Sequence, residues 1–187
     1  MLILDFLFVT LLFLAVAAGI FYLCESFAFR SGRAGRVVYM GSDLKFQSEA
    51  LKKAVDEFVG SEARSYALVE PGAGIGHVSR FLLKAYPWKS ATAIELRPTV
   101  FWLGKLFAWR RFAQLKYLRQ DLFSYAYAPP SVIYCYLTSP IISRLYREGV
   151  FEGSVVICLT FAIEGVQAAK EYPLRGWQRV LRVYDFR

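Results

Sequence analysis

Seven consecutive residues, Glu70-Pro71-Gly72-Ala73-Gly74-Ile75-Gly76, have the types and spacing to hold a ligand against the main chain. They follow the apolar run 66–69, read as a buried strand, and precede residues 77–86, read as a helix. An acid closing a strand, then three alternate glycines, makes a tight turn that delivers a ligand to a helix N-terminus. Glycine suits such a turn because it tolerates positive φ and lets a ligand approach the backbone closely. The spacing is E-x-G-x-G-x-G, whereas dinucleotide folds use G-x-G-x-x-G, whose third glycine would fall at His77. Two more acids stand at equivalent places, Glu95 after the strand-like 91–94 and Asp121 after 116–119. A glycine loop and two acids at the ends of successive strands is the layout of a pocket for S-adenosylmethionine (SAM), and it points to methyl transfer.

In that pocket the N–H groups of Gly72, Ala73, Gly74 and Gly76 are expected to line the methionine and ribose part of SAM. Glu95, with Leu96 beside it, is placed to accept hydrogen bonds from both ribose hydroxyls. A dinucleotide enzyme has an acid at a similar place, so Glu95 alone does not discriminate. Asp121 is expected either to bind the adenine amino group, with Leu122 or Phe123 against the ring, or to cap the next turn. Glu70 is expected to orient the loop and to meet the ligand's ammonium directly or through water. His77 either touches ligand or makes a local hydrogen bond. It is the only histidine, and Cys24, Cys135 and Cys158 lie far apart, so no metal site, His-based triad or disulfide framework is expected. The cysteines read as small core residues in a reducing compartment.

These residues need a scaffold, and the pattern supplies one. Residues 48–59 carry a helical apolar stripe, and the helix after Gly76 is expected to bury Val78, Phe81, Leu82 and Ala85 before Pro87 ends it. Pro98 opens a helix expected to reach Phe112. Residues 132–137 are uniformly apolar, as a central parallel strand should be, a short helix follows at 141–146, and 155–161 reads as a fifth strand. A loop containing Pro173 and Gly176 leads to 179–184, read as a final antiparallel edge strand. Strands alternating with helices imply an α/β fold with a mostly parallel sheet and helices on both faces.

The N-terminus has a different character. Residues 6–24 are 19 positions without charge, long enough as a helix to span roughly 29 Å, about the hydrocarbon thickness of a bilayer. The single charge before the run is Asp5, which does not suit a cleavable signal. Arg30, Arg33 and Arg36 follow, which places the remainder on the cytoplasmic side of a single-pass anchor. The alternative is an apolar helix buried in the domain. The chain thus divides into an anchor (1–29), a basic linker that includes a cofactor-covering segment (30–47) and one catalytic domain (48–187). The net charge of +8 reads as spread along the chain, suits anionic headgroups, and comes with no nucleic-acid recognition motif.

Val69 to Gly76 with Ala93-Ile94-Glu95-Leu96-Arg97-Pro98 resembles the class I SAM-dependent methyltransferases, which have a Rossmann-like fold. Glu95 to Pro98 running into Phe101-Trp102, Gln120-Asp121-Leu122-Phe123, Pro140 and Pro173-Leu174-Arg175-Gly176-Trp177 resemble, more narrowly, the membrane-anchored protein-lysine methyltransferases. These modify the adenine nucleotide translocase and the ATP synthase c subunit in mitochondria and have prokaryotic relatives. The resemblance covers residues 39–177 and implies SAM contacts from Gly72, Gly74, Gly76, Glu95 and Asp121, with 39–42 folding over the cofactor and the domain on the matrix side if mitochondrial. Leu137-Thr138-Ser139-Pro140 stands where amine methyltransferases often carry an Asn- or Asp-Pro-Pro-aromatic motif, and His77 where the narrower family tends to have arginine. No catalytic side chain is assigned.

Methyl transfer to nitrogen asks the protein mainly for positioning and desolvation. A lysine is neutral in only about one part in 2,500 at pH 7, a cost of roughly 4.6 kcal/mol that an apolar channel lowers. Tyr136, Phe161 and Trp177 are candidates for such a channel or for the core. A phospholipid or small lipophilic amine acceptor, and a non-catalytic SAM-binding module, are the alternatives to a lysine of a membrane-associated protein.

Overall fold

The computed structural model describes residues 6, 9–13, 15–17, 19, 44–109, 112–176 and 179–187. Ten residues of the expected anchor fall within this set, and all are helical and exposed. Thr10, its one clearly polar side chain, donates to the Phe6 carbonyl at 2.8 Å. The rest of the anchor, residues 30–43 of the linker with the covering segment 39–42, and Trp177 lie outside the described residues. Among the described residues no helix is long and apolar enough to cross a membrane.

Seven strands form one sheet in the order β3-β2-β1-β4-β5-β7-β6. They are β1 (Ala67–Pro71), β2 (Ser90–Ile94), β3 (Leu115–Leu118), β4 (Ser131–Cys135), β5 (Ser154–Leu159), β6 (Lys170–Pro173) and β7 (Val180–Asp185). The first five run parallel, β7 is antiparallel to β5, and β6 is antiparallel to β7. The helices are α1 (Leu44–Phe58), α2 (His77–Ala85), α3 (Pro98–Ala108) and α4 (Ser139–Arg147).

Alternation along each strand divides the core into two layers. Leu68, Ala93, Val132, Tyr134 and Ile157 face α1, α2 and α3 through Leu51, Val55, Leu82 and Phe101. Val69, Ile94, Ile133, Val156 and Tyr184 face α4 through Ile142 and Leu145. β4 is buried at every position, which its uninterrupted apolar run requires. Cys135 and Cys158 are register partners on β4 and β5, both fully buried and free.

Several expectations need correction. The strand expected at the edge, β7, is interior because Leu181, Val183 and Tyr184 are buried. The edge on that side is β6, which in sequence reads as loop. It is short, charged and ends in Pro173, features that protect an edge and erase the alternation of a strand. α1 begins at Leu44 rather than at 48, so Gln47 enters the fold fully buried and accepts from the Tyr134 hydroxyl at 2.8 Å. α3 stops at Ala108 and not at Phe112, while Ala85 is exposed at the end of α2.

Candidate functional site

The sheet reverses its winding between β1 and β4, and the glycine loop leaves the C-terminal end of β1 beside that switch point, where ligands of open α/β sheets bind. Gly72, Gly74 and Gly76 have φ of 70°, 58° and 68°, which L side chains rarely adopt. The loop is also pressed from beneath. A Cβ on Gly72 would stand 2.7 Å from Leu137 Cδ2, and one on Gly76 would stand 2.8 Å from Tyr117 Cε2. The Ala73 N–H donates to the Ile94 carbonyl at 2.9 Å, which ties the loop to the end of β2.

The two strand-end acids do different work. Glu95 is buried, and its Oε2 accepts from the Gly74 N–H at 3.0 Å. Its Oε1 accepts from the Arg97 N–H at 2.9 Å and Arg97 Nε at 3.3 Å. A carboxylate offers about four lone-pair positions, of which these bonds use three. One position is open to a ribose hydroxyl, and a second hydroxyl competes with the long Arg97 Nε contact. Leu96 beside it is exposed.

Glu70 faces the α2 side of the sheet. α2 has Gly76 as its N-cap, which has no side chain to bond the first-turn N–H groups. Glu70 replaces that cap from the neighbouring strand: Oε2 accepts from the Ser79 N–H at 2.9 Å and from the Ser79 hydroxyl. Burial nevertheless pushes its carboxyl up from 4.5 to about 7, with the Ser79 bonds and Arg80 opposing the rise and the Glu95 charge adding to it. His77 is the first residue of α2 and half-buried.

Asp121 lies three residues beyond β3, half-buried, and its Oδ1 accepts from the Phe123 N–H at 3.0 Å. It caps the 3-10 turn Leu122–Ser124, the second of the two roles expected for it. Leu122 and Phe123 pack against the α4 layer of the core, and the Arg144 guanidinium stacks 3.8 Å from the Phe123 ring centroid. Ala73, Gly74, Gly76 and Glu95 are therefore tied together, Gly76 N–H donating to the Ala73 carbonyl at 2.8 Å, with Gly72 at the tip of the loop and Glu70 at its base bonded to Ser79, and Asp121 with Leu122 stands beyond them on the next strand end.

Tyr117 was not legible as a site residue. It is buried on β3, donates its hydroxyl to the Gly74 carbonyl, and would collide with a Cβ on Gly76 or Gly104. Its one sequence signal is Gly104 in the middle of a helix, which marks a close approach by another group. At the far side of the switch point Tyr136 and Phe161, beyond the ends of β4 and β5, have ring centroids 6.2 Å apart. Between β5 and Phe161, Thr160 has φ 68°, in a turn closed by the Phe161 N–H on the Leu159 carbonyl at 2.8 Å. A β-branched residue there is strained, and Arg182 Nη1 holds its carbonyl at 2.7 Å. Among the described residues no group of three His, Cys, Asp or Glu side chains converges to hold a metal ion.

No family model and no curated protein matches the chain. Solved structures do. An RNA methyltransferase from Salinibacter ruber in complex with S-adenosyl-L-homocysteine is similar over 80% of this chain and 94% of that one, at 15% identity and TM-score 0.64. The ribosomal protein L11 methylase from Lactobacillus delbrueckii subsp. bulgaricus is similar over 76% and 79%, at 13% identity and TM-score 0.59. The B. subtilis M1A22 tRNA methyltransferase TrmK is similar over 70% and 62%, at 13% identity and TM-score 0.53. At such identities the likeness establishes the fold. The chain has the Rossmann-like fold of class I methyltransferases. None of these three is a membrane-anchored protein-lysine methyltransferase, so the narrower resemblance gains no support from them.

Proposed function

We propose that the chain is a membrane-anchored, SAM-dependent methyltransferase that methylates a lysine of a membrane-associated protein. The observation that carries the methyltransferase reading is the unit at the switch point, where a loop of three positive-φ glycines is bonded through Gly74 to a buried acid ending β2. The residues present fit SAM: Gly72 is exposed at the tip, Glu95 keeps an acceptor for a ribose hydroxyl, and Glu70 offers a buried carboxyl near the loop. When bound, SAM supplies a methyl group activated on a sulfonium. The chain's own residues position it and exclude water, and the pair Tyr136 and Phe161 is suited to flank an amine with its proton removed.

The anchor is supported by the exposure of its described residues. Phe6, Leu11, Leu12 and Phe13 are all exposed, and they point in different directions around a helix, so no single face of it is packed away. A helix apolar all round that does not enter a core suits lipid.

Calorimetry of the full chain in detergent, with SAM against NAD and Gly74→Arg as control, tests the reading. SAM is expected to bind, NAD not, and the variant neither. Labelled-methyl transfer to separated membrane protein, lipid and RNA fractions then names the acceptor, with label in protein lysine expected. A folded chain that binds no SAM overturns the proposal, and label in lipid or RNA overturns its lysine part.

A further inference from the structure

α3 is apolar on the side that needs no apolar residues. Val100, Phe101, Gly104 and Ala108 face the core. Around the rest of its surface Trp102 is 60% exposed, Leu106 60% and Phe107 54%, with Leu103 also exposed and Trp109, just past the helix, 67%. A helix that is hydrophobic all round belongs inside a protein or in lipid, and a contiguous exposed patch marks an interaction surface. A cleft of about 420 Å³ opens beside the patch between Trp102, Leu106, Trp109, Phe112 and Tyr117.

The charge around the patch is equally specific. Between residues 77 and 120 stand nine Lys or Arg and one acid, the buried Glu95. Nine against one leaves +8, the whole formal net charge of the chain, so the remaining residues are balanced and the excess is not spread as it had read. Some of these cations border the apolar patch. Lys105 Nζ lies 5.3 Å from the Trp102 ring centroid, and the Arg80 guanidinium 5.4 Å from that of Phe107.

We infer that the outer face of α3 seats on an anionic bilayer, with its aromatic and aliphatic side chains in the headgroup boundary and the bordering cations Arg80, Lys84 and Lys105 on lipid phosphates. Indole rings and long cations over an apolar face are the composition of an interfacial helix. A nucleic acid would use the same charge. Leu103 and Leu106, however, offer bases neither a hydrogen bond nor a ring to stack on, and the hydrogen-bonding side chains from 100 to 109 are Trp102, Lys105 and Trp109 alone, all donors. The inference deepens the membrane reading above, and it concerns a different part of the chain from the anchor.

The test uses full chain reconstituted in anionic vesicles containing lipid brominated near the headgroup, with single-tryptophan versions keeping Trp102, Trp109 or Trp88. Bromolipid is expected to quench Trp102 and Trp109 and to spare Trp88, which is half-buried and donates to the Leu82 carbonyl at 3.1 Å. Leu106→Asp with Phe107→Asp, both at exposed positions, is expected to abolish the quenching while circular dichroism is unchanged. Each basic charge removed at the rim, as in Lys105→Ala, is expected to lower the ratio of docked to undocked face about five-fold. Trp102 and Trp109 that iodide quenches and bromolipid does not would overturn the inference. So would protection from both agents by a second copy, or protection that appears on adding RNA. Carbonate extraction keeps the readings apart: a chain that is extracted but still quenched loses the anchor and keeps the α3 surface, and the reverse result does the opposite.

Discussion

Replacing Glu70 by glutamine should flatten the dependence of stability on pH. The carboxyl is buried and its pKa is raised from 4.5 to about 7, because burial disfavours the charged form more than Ser79 and Arg80 favour it. Between those two values the folded chain holds a proton that the unfolded chain has released. Stability therefore falls as pH rises through that window, at about 1.4 kcal/mol per pH unit. Over the 4.5-to-7 interval the loss is about 3 kcal/mol, with no discount for solvent because the side chain is wholly buried. Glutamine keeps an oxygen for the Ser79 N–H and hydroxyl and carries no charge. Glu70→Gln should then match the wild type at pH 5, apart from a constant offset, and gain on it by roughly 2–3 kcal/mol by pH 8. Denaturant unfolding of full chain in detergent at both pH values, read by circular dichroism, measures this difference of differences. A gap between the two proteins that does not change with pH would refute the reasoning and mean that Glu70 ionises in the folded chain as it does in water. Saturating SAM adds a second arm: a cationic ligand beside Glu70 favours the carboxylate, so the pH dependence of the wild type should shrink when SAM is present.

Two further substitutions probe the scaffold. Tyr117→Phe removes the hydroxyl that holds the Gly74 carbonyl, and should cost about 1 kcal/mol of stability together with a drop in SAM affinity, both measurable by unfolding and calorimetry. Unchanged SAM affinity would deny the tyrosine a part in shaping the loop. Thr160→Gly relieves a positive-φ strain worth about 1–3 kcal/mol at the cost of backbone entropy, and should raise stability by about 1 kcal/mol in the same unfolding assay. Loss of stability instead would mean that the Thr160 side chain contributes more than its strained backbone costs.

Much of the fold could be read in advance because its determinants are local. The glycine loop announces itself by alternate glycines after an apolar run, and β4 by an uninterrupted apolar stretch, since both of its faces are covered by helices. Proline marks the end of α2 and the start of α3. What escaped reading was decided by neighbours distant in sequence. Among the described residues β6 pairs only with β7, so half of its hydrogen bonding has no strand partner there, and its charged, proline-ended residues carry no strand pattern. Gln47 joins α1 because Tyr134, 87 residues away, takes its amide oxygen. Tyr117 supports the loop across 43 residues, and on its own strand it looks like any edge aromatic.

The chemical types in the candidate site, a glycine loop with an acid at each of two strand ends, were determined by the sequence itself, because a positive-φ turn and a strand-end acid need only their own residues. What each acid does was decided by tertiary structure. Glu70 caps α2 because the parallel pairing of β1 with β2 and the crossover of α2 bring Ser79 to it. Glu95 is fixed on Gly74 because the ends of β1 and β2 are in register, Pro71 against Ile94. The α3 surface follows the same rule. Its aromatic and apolar residues are plain in the chain, and only packing showed that the core takes one side of the helix and leaves Trp102, Leu106, Phe107 and Trp109 facing outward.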